Sequence, residues 1–453
     1  MIPVRLVRDR LWLALCLGLP VRPGAAHPPP DLQRDPAPVE GYLDRVSCAP
    51  GETLTLRVHA LAGSFSYSVL RLGGDERPLA VAEDLPGRPQ ACPFRAFATG
   101  AEWTPTCSFT VPADWPSGLY AVKLKDASAG HAFYMPFVLR GTKGPAQPPV
   151  VVMANTFTWQ AYNPWGGGSF YKGDHPRAPE DSYETLVSLA RPDLAASRNS
   201  PGGHTGCAEK HIHTFLMGHG IAYHQIADLD LHQDPSALEG YRLLVIATHS
   251  EYWSRQMLDR LEAFLQAGGS VLNLSGNVIW WKVTLRGNQL ECRKDRGIHA
   301  QTGERGGKWK DLGRPSGPIL GVQSDPRGIH TYAPFQVRAA DHWLFRGTGV
   351  RPGDRIGASG LNEGGASGGE EDKVDALTPP GAVRLAHGLN PGQGGADLVY
   401  FRTPWGGEVL SAGSISFCGS LVVDPVLDRL VMNFLGRYRG PRPESGGFDW
   451  QAQ

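Results

Sequence analysis

One strand end in this sequence places three reactive side-chain types next to each other. After the apolar run 243–247, the segment 248–253 reads THSEYW and brings His249, Glu251 and Tyr252 together. Imidazole, carboxylate and phenol groups transfer protons in enzyme active sites. Ligands of open α/β sheets bind just beyond the carboxyl ends of the strands, so this segment is a candidate site.

Two further segments follow other apolar runs. Residues 156–171 (TFTWQAYNPWGGGSFY) combine aromatic rings, amide groups and a glycine triplet, whereas residues 275–281 (SGNVIWW) bring Gly276. Glycine at this position would let backbone approach a ligand, because it has no side chain. We expect both loops to line a substrate pocket. The pocket candidates are Trp159, Asn163, Trp165 and Asn277.

The elements that would position these loops are strands alternating with helices. Continuous apolar runs predict strands that are buried on both faces, and a 3.6-residue period predicts helices. The predicted strands are 150–153, 221–226, 243–247, 270–274, 398–402 and 409–412, and the predicted helices are 211–218, 255–267 and 425–438. This order predicts an α/β fold with a mostly parallel open sheet. We interpret the glycine-rich segment 359–372 as a mobile surface loop.

Composition divides the chain of 453 residues into segments. Residues 1–26 predict a signal peptide, because a basic stretch precedes a short apolar run and small residues. Residues 27–38 are proline-rich and predict an entry segment without a core. Short alternating runs separated by turns predict a small antiparallel β-sandwich domain over 39–140. The α/β domain is expected over 150–440.

The signal peptide and the charge balance limit the expected location and partners. Export predicts a secreted or periplasmic protein, and the alternative is an uncleaved membrane anchor. The 44 basic and 44 acidic residues form no long run of either sign. We therefore expect no nucleic acid as partner and, after signal cleavage, no membrane. A small-molecule substrate is the expected partner, and the sequence leaves open whether the chain forms a homo-oligomer.

Cysteine usage agrees with export. Removal of the signal peptide leaves six cysteines in a compartment where disulfides persist. At least one disulfide is expected, and Cys92 and Cys107 are the preferred pair. None of the six has zinc-type spacing, so we do not expect a cysteine metal site.

The three strand-end segments, in this order, resemble the C-terminal domain of the N,N-dimethylformamidase large (beta) subunit family. The resemblance extends over about residues 110–437 and includes the motifs WPSGLY (115–120), TGERGGKW (302–309) and AGSI (412–415). It implies an α/β domain similar in fold to the class I glutamine amidotransferases. It also implies a hydrolase, an amidase of small C–N amide bonds, that uses a mononuclear iron held by two tyrosines and one glutamate.

Matched motif by motif, the resemblance implies Tyr252 and Glu304 as metal ligands. The second tyrosine is either Tyr162, which belongs to the stronger motif, or Tyr223, which lies a suitable distance before Tyr252. Phenolate and carboxylate oxygens suit a ferric ion, which also lowers the pKa of bound water.

His249 and Glu251 are the catalytic candidates, either as general base or as a hydrogen-bonding support for a ligand. Hydrolysis through these two residues without a metal would need a nucleophile, and the sequence offers no good one. The rival function is a non-catalytic extracellular module that binds a ligand, such as a glycan, on aromatic faces. The tryptophans behind that hypothesis are Trp159, Trp165, Trp253, Trp280 and Trp281. Converging oxygen ligands would favour catalysis, whereas an open tryptophan platform with Glu304 in solvent would favour binding.

Overall fold

The structure, a computed structural model, describes residues 37–126, 130–171, 184–197, 204–362 and 364–439. The predicted signal peptide and nearly all of the proline-rich segment therefore lie outside the described residues. The described residues belong to one compact unit. No helix among them combines the length and the apolar composition that crossing a bilayer requires.

Alternating apolar residues build two sheets in the first part of the chain. Their strands are β1 (Val39–Leu43), β2 (Ser47–Cys48), β3 (Thr53–Ala60), β4 (Ser64–Arg71), β5 (Pro78–Pro86), β6 (Cys107–Thr110), β7 (Gly118–Asp126) and β8 (Ala132–Leu139), with a short helix α1 (Ala96–Thr99) before β6. One sheet has the order β1-β3-β6 and the other β2-β8-β7-β4-β5. Val58 and Val122, one from each sheet, are fully buried in their shared core.

The rest of the chain contributes strands β9 to β25. They are β9 (Val150–Ala154), β10 (Leu186–Ser188), β11 (His224–Ala227), β12 (Leu243–His249), β13 (Tyr252–Ser254), β14 (Ser270–Gly276), β15 (Trp281–Arg286), β16 (Gln289–Cys292), β17 (Gln323–Asp325), β18 (Tyr332–Ala333), β19 (Phe335–Val337), β20 (Arg355–Ile356), β21 (Ser367–Gly368), β22 (Glu371–Lys373), β23 (Val383–Gly388), β24 (Asp397–Arg402) and β25 (Glu408–Ser411). The largest sheet has the order β11-β9-β12-β14-β25-β24-β23-β19-β20. Its members β9, β12 and β14 are buried along their whole length, as their apolar runs predict.

The predicted fold class, a mostly parallel open sheet of glutamine-amidotransferase type, is wrong. The largest sheet is mixed, because the pairs from β11 to β25 are parallel whereas β25-β24, β24-β23, β23-β19 and β19-β20 are antiparallel. The sheets of the first part of the chain are also mainly antiparallel. The described residues are thus mostly β-structure, with short helices. The physical reason is that the run of strands after β18 contains no long crossover helix, which parallel pairing requires.

Three small sheets lie beyond the ends of the central strands. They have the orders β10-β16-β15-β13, β17-β22 and β18-β21. Strand β13 begins at Tyr252 and pairs in parallel with β15, which begins at Trp281. The two loops that follow β12 and β14 are therefore fixed to each other directly after they leave the central sheet.

The helices after α1 are short, and two of them, α5 and α8, are capped by polar side chains. They are α2 (Thr156–Tyr162), α3 (Gly206–Gly218), α4 (Asp228–Gln233), α5 (Arg255–Gln266), α6 (Gly317–Leu320), α7 (Phe417–Leu421) and α8 (Pro425–Leu435), with 3-10 turns at Trp309–Leu312, Trp343–Phe345 and Gly436–Tyr438. Ser254 caps α5 by accepting a hydrogen bond from the backbone N–H of Met257 at 3.2 Å. Asp424 caps α8 in the same manner, directly before the proline at its first position.

Two further expectations differ from the structure. The segment 359–372 is not wholly a surface loop: its second half contains β21 and the start of β22, and Ser367, Glu371 and Asp372 are buried. No disulfide joins the six cysteines of the described residues. The preferred pair is separated because Cys107 packs against the sandwich core and Cys92 against a different cluster around Trp103.

A buried carboxyl group connects α3 to the central sheet. The Oε1 atom of Glu209 accepts hydrogen bonds from the backbone N–H of Asn155 (3.1 Å), from its side-chain amide (2.8 Å) and from the Trp159 indole N–H (2.8 Å). Burial, opposed only in part by these donors, raises the pKa of Glu209 to about 8. The carboxyl group is therefore protonated in the folded protein at pH 7 and below.

We expect the free energy of unfolding to fall as the pH rises from about 4.5 to 8, because the unfolded chain loses the Glu209 proton near pH 4.3 and the folded chain near 8. Glu209→Gln mimics the protonated group and should remove a few kcal/mol of that fall. Urea unfolding midpoints at pH 5 and pH 8 measure it, with the exposed Glu239→Gln as control. Parallel pH profiles for wild type and Glu209→Gln would contradict this assignment.

Candidate functional site

Phenol, imidazole and carboxylate groups meet at one oxygen atom beyond the end of β12. The Oε2 atom of Glu251 accepts hydrogen bonds from the hydroxyl groups of Tyr162 (3.0 Å) and Tyr171 (2.6 Å). The Nε2 atom of His249 lies 3.1 Å from the same oxygen and 3.2 Å from the Tyr162 hydroxyl. Glu251 is 2% exposed, so this carboxylate is compensated by protein groups instead of by water.

The backbone around Glu251 is fixed by its neighbours. The N–H of Glu251 donates to the Thr158 hydroxyl at 3.1 Å, and its carbonyl accepts from the backbone N–H groups of Trp280 (2.9 Å) and Trp281 (3.0 Å). Thr248 has a φ of 63°, in the left-handed region that side chains rarely adopt. Thr248 belongs to the last residues of the fully buried strand β12, so this unusual backbone conformation lies just before Glu251.

The aromatic rings pack around the carboxylate. Tyr162 and Tyr171 stack with ring centroids 4.1 Å apart. The Tyr252 hydroxyl donates to the Tyr171 hydroxyl at 2.7 Å, so Tyr252 joins the cluster through Tyr171. The Lys294 ammonium lies 3.6 Å from the centre of the Tyr171 ring, a cation–π geometry that brings a positive charge close to Glu251.

A second carboxylate reaches the cluster from the segment before β22. Asn277 donates a side-chain hydrogen bond to Glu370, and its backbone N–H donates to Asp372 at 2.8 Å. One ligand atom from each of His249, Glu251 and Glu370 lies within 4.8 Å of the other two. Two carboxylates and one imidazole thus share a volume that a single metal ion or a small substrate group would fill.

Gly276 makes this approach possible, but the partner is protein backbone and not a ligand. A Cβ atom at position 276 would lie 2.2 Å from the carbonyl oxygen of Glu370 and 2.7 Å from the backbone nitrogen of Ile415. No larger residue can occupy this position without a shift of backbone.

The environment changes the proton affinities of the cluster. Burial, together with the Glu251 charge, raises the pKa of Tyr162, Tyr171 and Tyr252 well above its ordinary value. Burial opposes ionisation of Glu251, but the His249 hydrogen bond and the Lys294 charge outweigh it and lower the Glu251 pKa.

The pKa values of the other two titratable groups beside Glu251, His249 and Glu370, are raised. Burial alone would lower the His249 pKa, but the Glu251 hydrogen bond and the Glu370 charge raise it. Burial raises the Glu370 pKa to about 7. Charged Glu251 thus lies beside an imidazole and a carboxyl group whose pKa values are both raised, and perturbed groups of this kind are typical of catalytic sites.

A cavity of about 450 Å³ opens from this cluster toward solvent. Its buried end is lined by Tyr171, Glu251, Asn277 and Glu370. Lys294 lies close to this end, beside Tyr171, and the outer part is lined by Trp280, Trp281, Lys308, Ser324, Asp325, Pro326 and Ile329. The volume lies within the range of about 300–1,000 Å³ that small-molecule sites have.

Five of the catalytic, metal-ligand and pocket candidates named from the sequence lie in or beside this site: Tyr162, His249, Glu251, Tyr252 and Asn277. Glu304 does not join them, because its carboxylate pairs with Lys282 at 2.7 Å and with Arg255 at 3.8 Å. Tyr223 lies in the core on another side of the sheet, where its hydroxyl is 3.0 Å from His213 Nδ1. Of the two alternatives for the second tyrosine, the structure brings Tyr162 to the cluster.

Three pocket candidates lie elsewhere. Trp159 is 1% exposed and donates to Glu209. Asn163 is fully buried and donates to the Pro192 carbonyl at 2.9 Å, and Trp165 packs edge-on against Trp103. Because Trp253 is also fully buried, these tryptophans form core contacts and not an open platform.

Three residues of the site were not predicted from the sequence: Tyr171, Lys294 and Glu370. Tyr171 ends the aromatic loop 156–171, and its position directly after a glycine-rich turn is a signal that could have drawn attention to it. Glu370 begins an acidic run inside a glycine-rich segment. Lys294 had no distinguishing signal, since its role depends on the pairing of β15 with β16.

The fold and the site together define a class: a mixed-sheet protein with a buried centre of phenol, carboxylate and imidazole groups beyond the ends of its central strands. The chain belongs to the family described as N,N-dimethylformamidase beta subunit-like, C-terminal, whose model matches residues 67–429. The resemblance found in the sequence motifs is therefore confirmed.

Named relatives agree with the family match. The chain is similar to the N,N-dimethylformamidase beta subunits of Alcaligenes sp and Paracoccus aminophilus, in each case 25% identical over 421 residues that cover 75% of this chain and 55% of the relative. The chain thus spans about half the length of these relatives. Among solved structures, Escherichia coli alpha-2-macroglobulin activated by porcine elastase matches at 11% identity and a TM-score of 0.16, over 24% of this chain and 10% of that chain. A TM-score this low carries no structural argument.

Gly276→Ala should displace Glu370 from the cluster and lower the free energy of unfolding by about 1–3 kcal/mol, because the new Cβ overlaps backbone atoms. Urea unfolding measures the loss. The control is Gly381→Ala, since a Cβ atom at position 381 meets nothing within 4 Å. Equal stability of the two variants would show that the segment before β22 does not pack against Gly276.

Proposed function

We propose that this chain hydrolyses a small C–N amide bond, as an amidase of the dimethylformamidase type, at the cluster around Glu251. One observation carries the proposal: two phenol hydroxyls and an imidazole nitrogen converge on a single buried carboxylate oxygen. The relatives, which are N,N-dimethylformamidase beta subunits, support the reaction type. Those relatives are longer, so activity of this chain by itself is part of the proposal.

We further propose a mononuclear iron, held by Tyr162, Tyr171 and Glu251. The donor set fits such an ion, because phenol and carboxylate oxygens are hard ligands. Both phenol oxygens already lie within 3.0 Å of the Oε2 atom of Glu251. Two tyrosines and one glutamate are retained from the sequence expectation, with Tyr171 and Glu251 in the places given there to Tyr252 and Glu304. When bound, the ion would polarise the amide carbonyl and lower the pKa of a water molecule.

The other residues of the cluster would then move protons. In hydrolysis the water oxygen bonds to the acyl carbon, the C–N bond breaks, and a proton from water passes to the departing nitrogen. His249 and Glu370 flank Glu251 and are placed to accept that proton and to deliver it. Asn277 holds Glu370 in place by a hydrogen bond, and Lys294 supplies a fixed positive charge beside the carbonyl oxygen as it becomes negative.

The rival function, a glycan-binding module, receives no support from the aromatic residues. Three of its five tryptophans, Trp159, Trp165 and Trp253, are at most 6% exposed. The other two, Trp280 and Trp281, line the cavity that also contains Glu251 and Glu370. Export through residues 1–26 and a homo-oligomeric assembly stay predictions.

The metal hypothesis can be tested with matched tyrosine and glutamate pairs. We expect near-stoichiometric iron and a visible tyrosinate-to-metal absorption band in the purified protein. Tyr162→Phe, Tyr171→Phe and Glu251→Gln should each lower iron content at least tenfold and abolish N,N-dimethylformamide hydrolysis, since each removes a donor oxygen. Elemental analysis and amine release measure both effects.

The controls are Tyr223→Phe and Glu304→Gln, which change the same residue types outside the cluster. Both should retain iron and activity. The proposal fails if the folded wild-type protein is active without metal, or if the two control variants lose iron while the cluster variants keep it.

A further inference from the structure

The outer part of the cavity carries positive charges that the proposed hydrolysis does not use. The Lys308 ammonium lies 4.2 Å from the centre of a Trp280 ring and 5.4 Å from that of Trp281. The Lys310 ammonium lies 4.6 Å from the same Trp280 ring. Two ammonium groups are therefore held on one indole at the entrance to the site.

The acidic groups near these lysines are engaged by other residues. Asp311 pairs with Arg296 at 3.0 Å, Asp325 interacts with Arg327 and Lys373, and Glu251 accepts from the tyrosines. In the part of the chain that the structure describes, no carboxylate lies within ion-pair distance of Lys308 or Lys310. Burial and, after it, the Lys310 charge lower the Lys308 pKa, so an anion beside Lys308 would relieve an unfavourable environment.

The size and shape of the cavity leave room for such an anion. A molecule as small as N,N-dimethylformamide would occupy only part of about 450 Å³ when its amide lies against Glu251. Trp280, Pro326 and Ile329 offer apolar surface between the buried carboxylates and the lysines. A short carbon chain could cross this region with an amide at one end and a charged group at the other.

We propose that the substrate is an amide that also bears a carboxylate, of the N-acyl amino acid class, and that Lys308 and Lys310 bind the carboxylate at the entrance while the amide lies against Glu251 and Glu370. This inference rests on the proposed hydrolysis for the amide end. Lys308 is the main determinant of specificity, because it lines the cavity, whereas Lys310 contributes its charge from beside the Trp280 ring. Hydrolysis would release a carboxylic acid and an amine, one of which keeps the bound carboxylate.

The test compares two formamides that differ by one carboxylate, N-formylglycine and N-methylformamide. The wild-type protein should hydrolyse N-formylglycine with a kcat/KM at least tenfold higher. Lys308→Gln should raise KM for N-formylglycine about tenfold, which is the expected effect of losing one charge-assisted contact. It should leave kcat for N-formylglycine unchanged and should have no effect on the hydrolysis of N-methylformamide. Lys308→Arg should restore most of the lost affinity. The control is Lys123→Gln, another lysine over an aromatic ring, but in the sandwich.

A binding measurement separates this inference from the proposed reaction. Succinate has no amide bond, and its calorimetric affinity should fall about tenfold in Lys308→Gln and stay unchanged in Lys123→Gln. If succinate binds through Lys308 but neither formamide is hydrolysed, the anion site stands and the amidase proposal fails. If both formamides are hydrolysed equally well, or Lys308→Gln affects both alike, the carboxylate inference is overturned and the amidase proposal stands.

Discussion

The structure depends on compensating one buried negative charge. Glu251 is almost fully removed from water, and an uncompensated carboxylate in such a place would cost several kcal/mol. Its compensation draws groups from distant parts of the chain: phenols from the end of α2 and the loop after it, imidazole from the end of β12, and the Lys294 charge from beyond β16. Release of any one of these donors would remove part of the compensation, so the position of each loop depends on the others.

The mixed sheet is what brings the second carboxylate to this place. The parallel strands carry His249 and Gly276 to the same edge, and the antiparallel strands that follow fold the later chain back beside them. Glu370 then approaches through a contact between its own carbonyl group and Gly276. The antiparallel half thus contributes directly to the site and is not an appendage of the parallel half.

How much the sequence could predict depends on the range of the interactions. The strands at 243–247 and 270–274 were located to within two residues, because a continuous apolar run is a local signal. The direction of pairing after residue 330 was not predictable in this way, since it is set by connections and by contacts between distant strands. The same limit applies to the carboxylates. Glu304 has a motif but pairs with Lys282, whereas Glu370 has no motif and gains its role from a neighbour 93 positions away.

That separation also bears on how the site comes into being during synthesis. Residues 162 to 277 emerge from the ribosome well before residue 370, and contacts of high sequence separation form late in folding. A nascent chain with the parallel strands complete would still lack Glu370, and the glycine at 276 would face an open gap. Because Glu370 reaches the site through the contact at Gly276, the site is complete only after the antiparallel half of the sheet has formed. An unfinished chain therefore has only part of its acid–base groups in place.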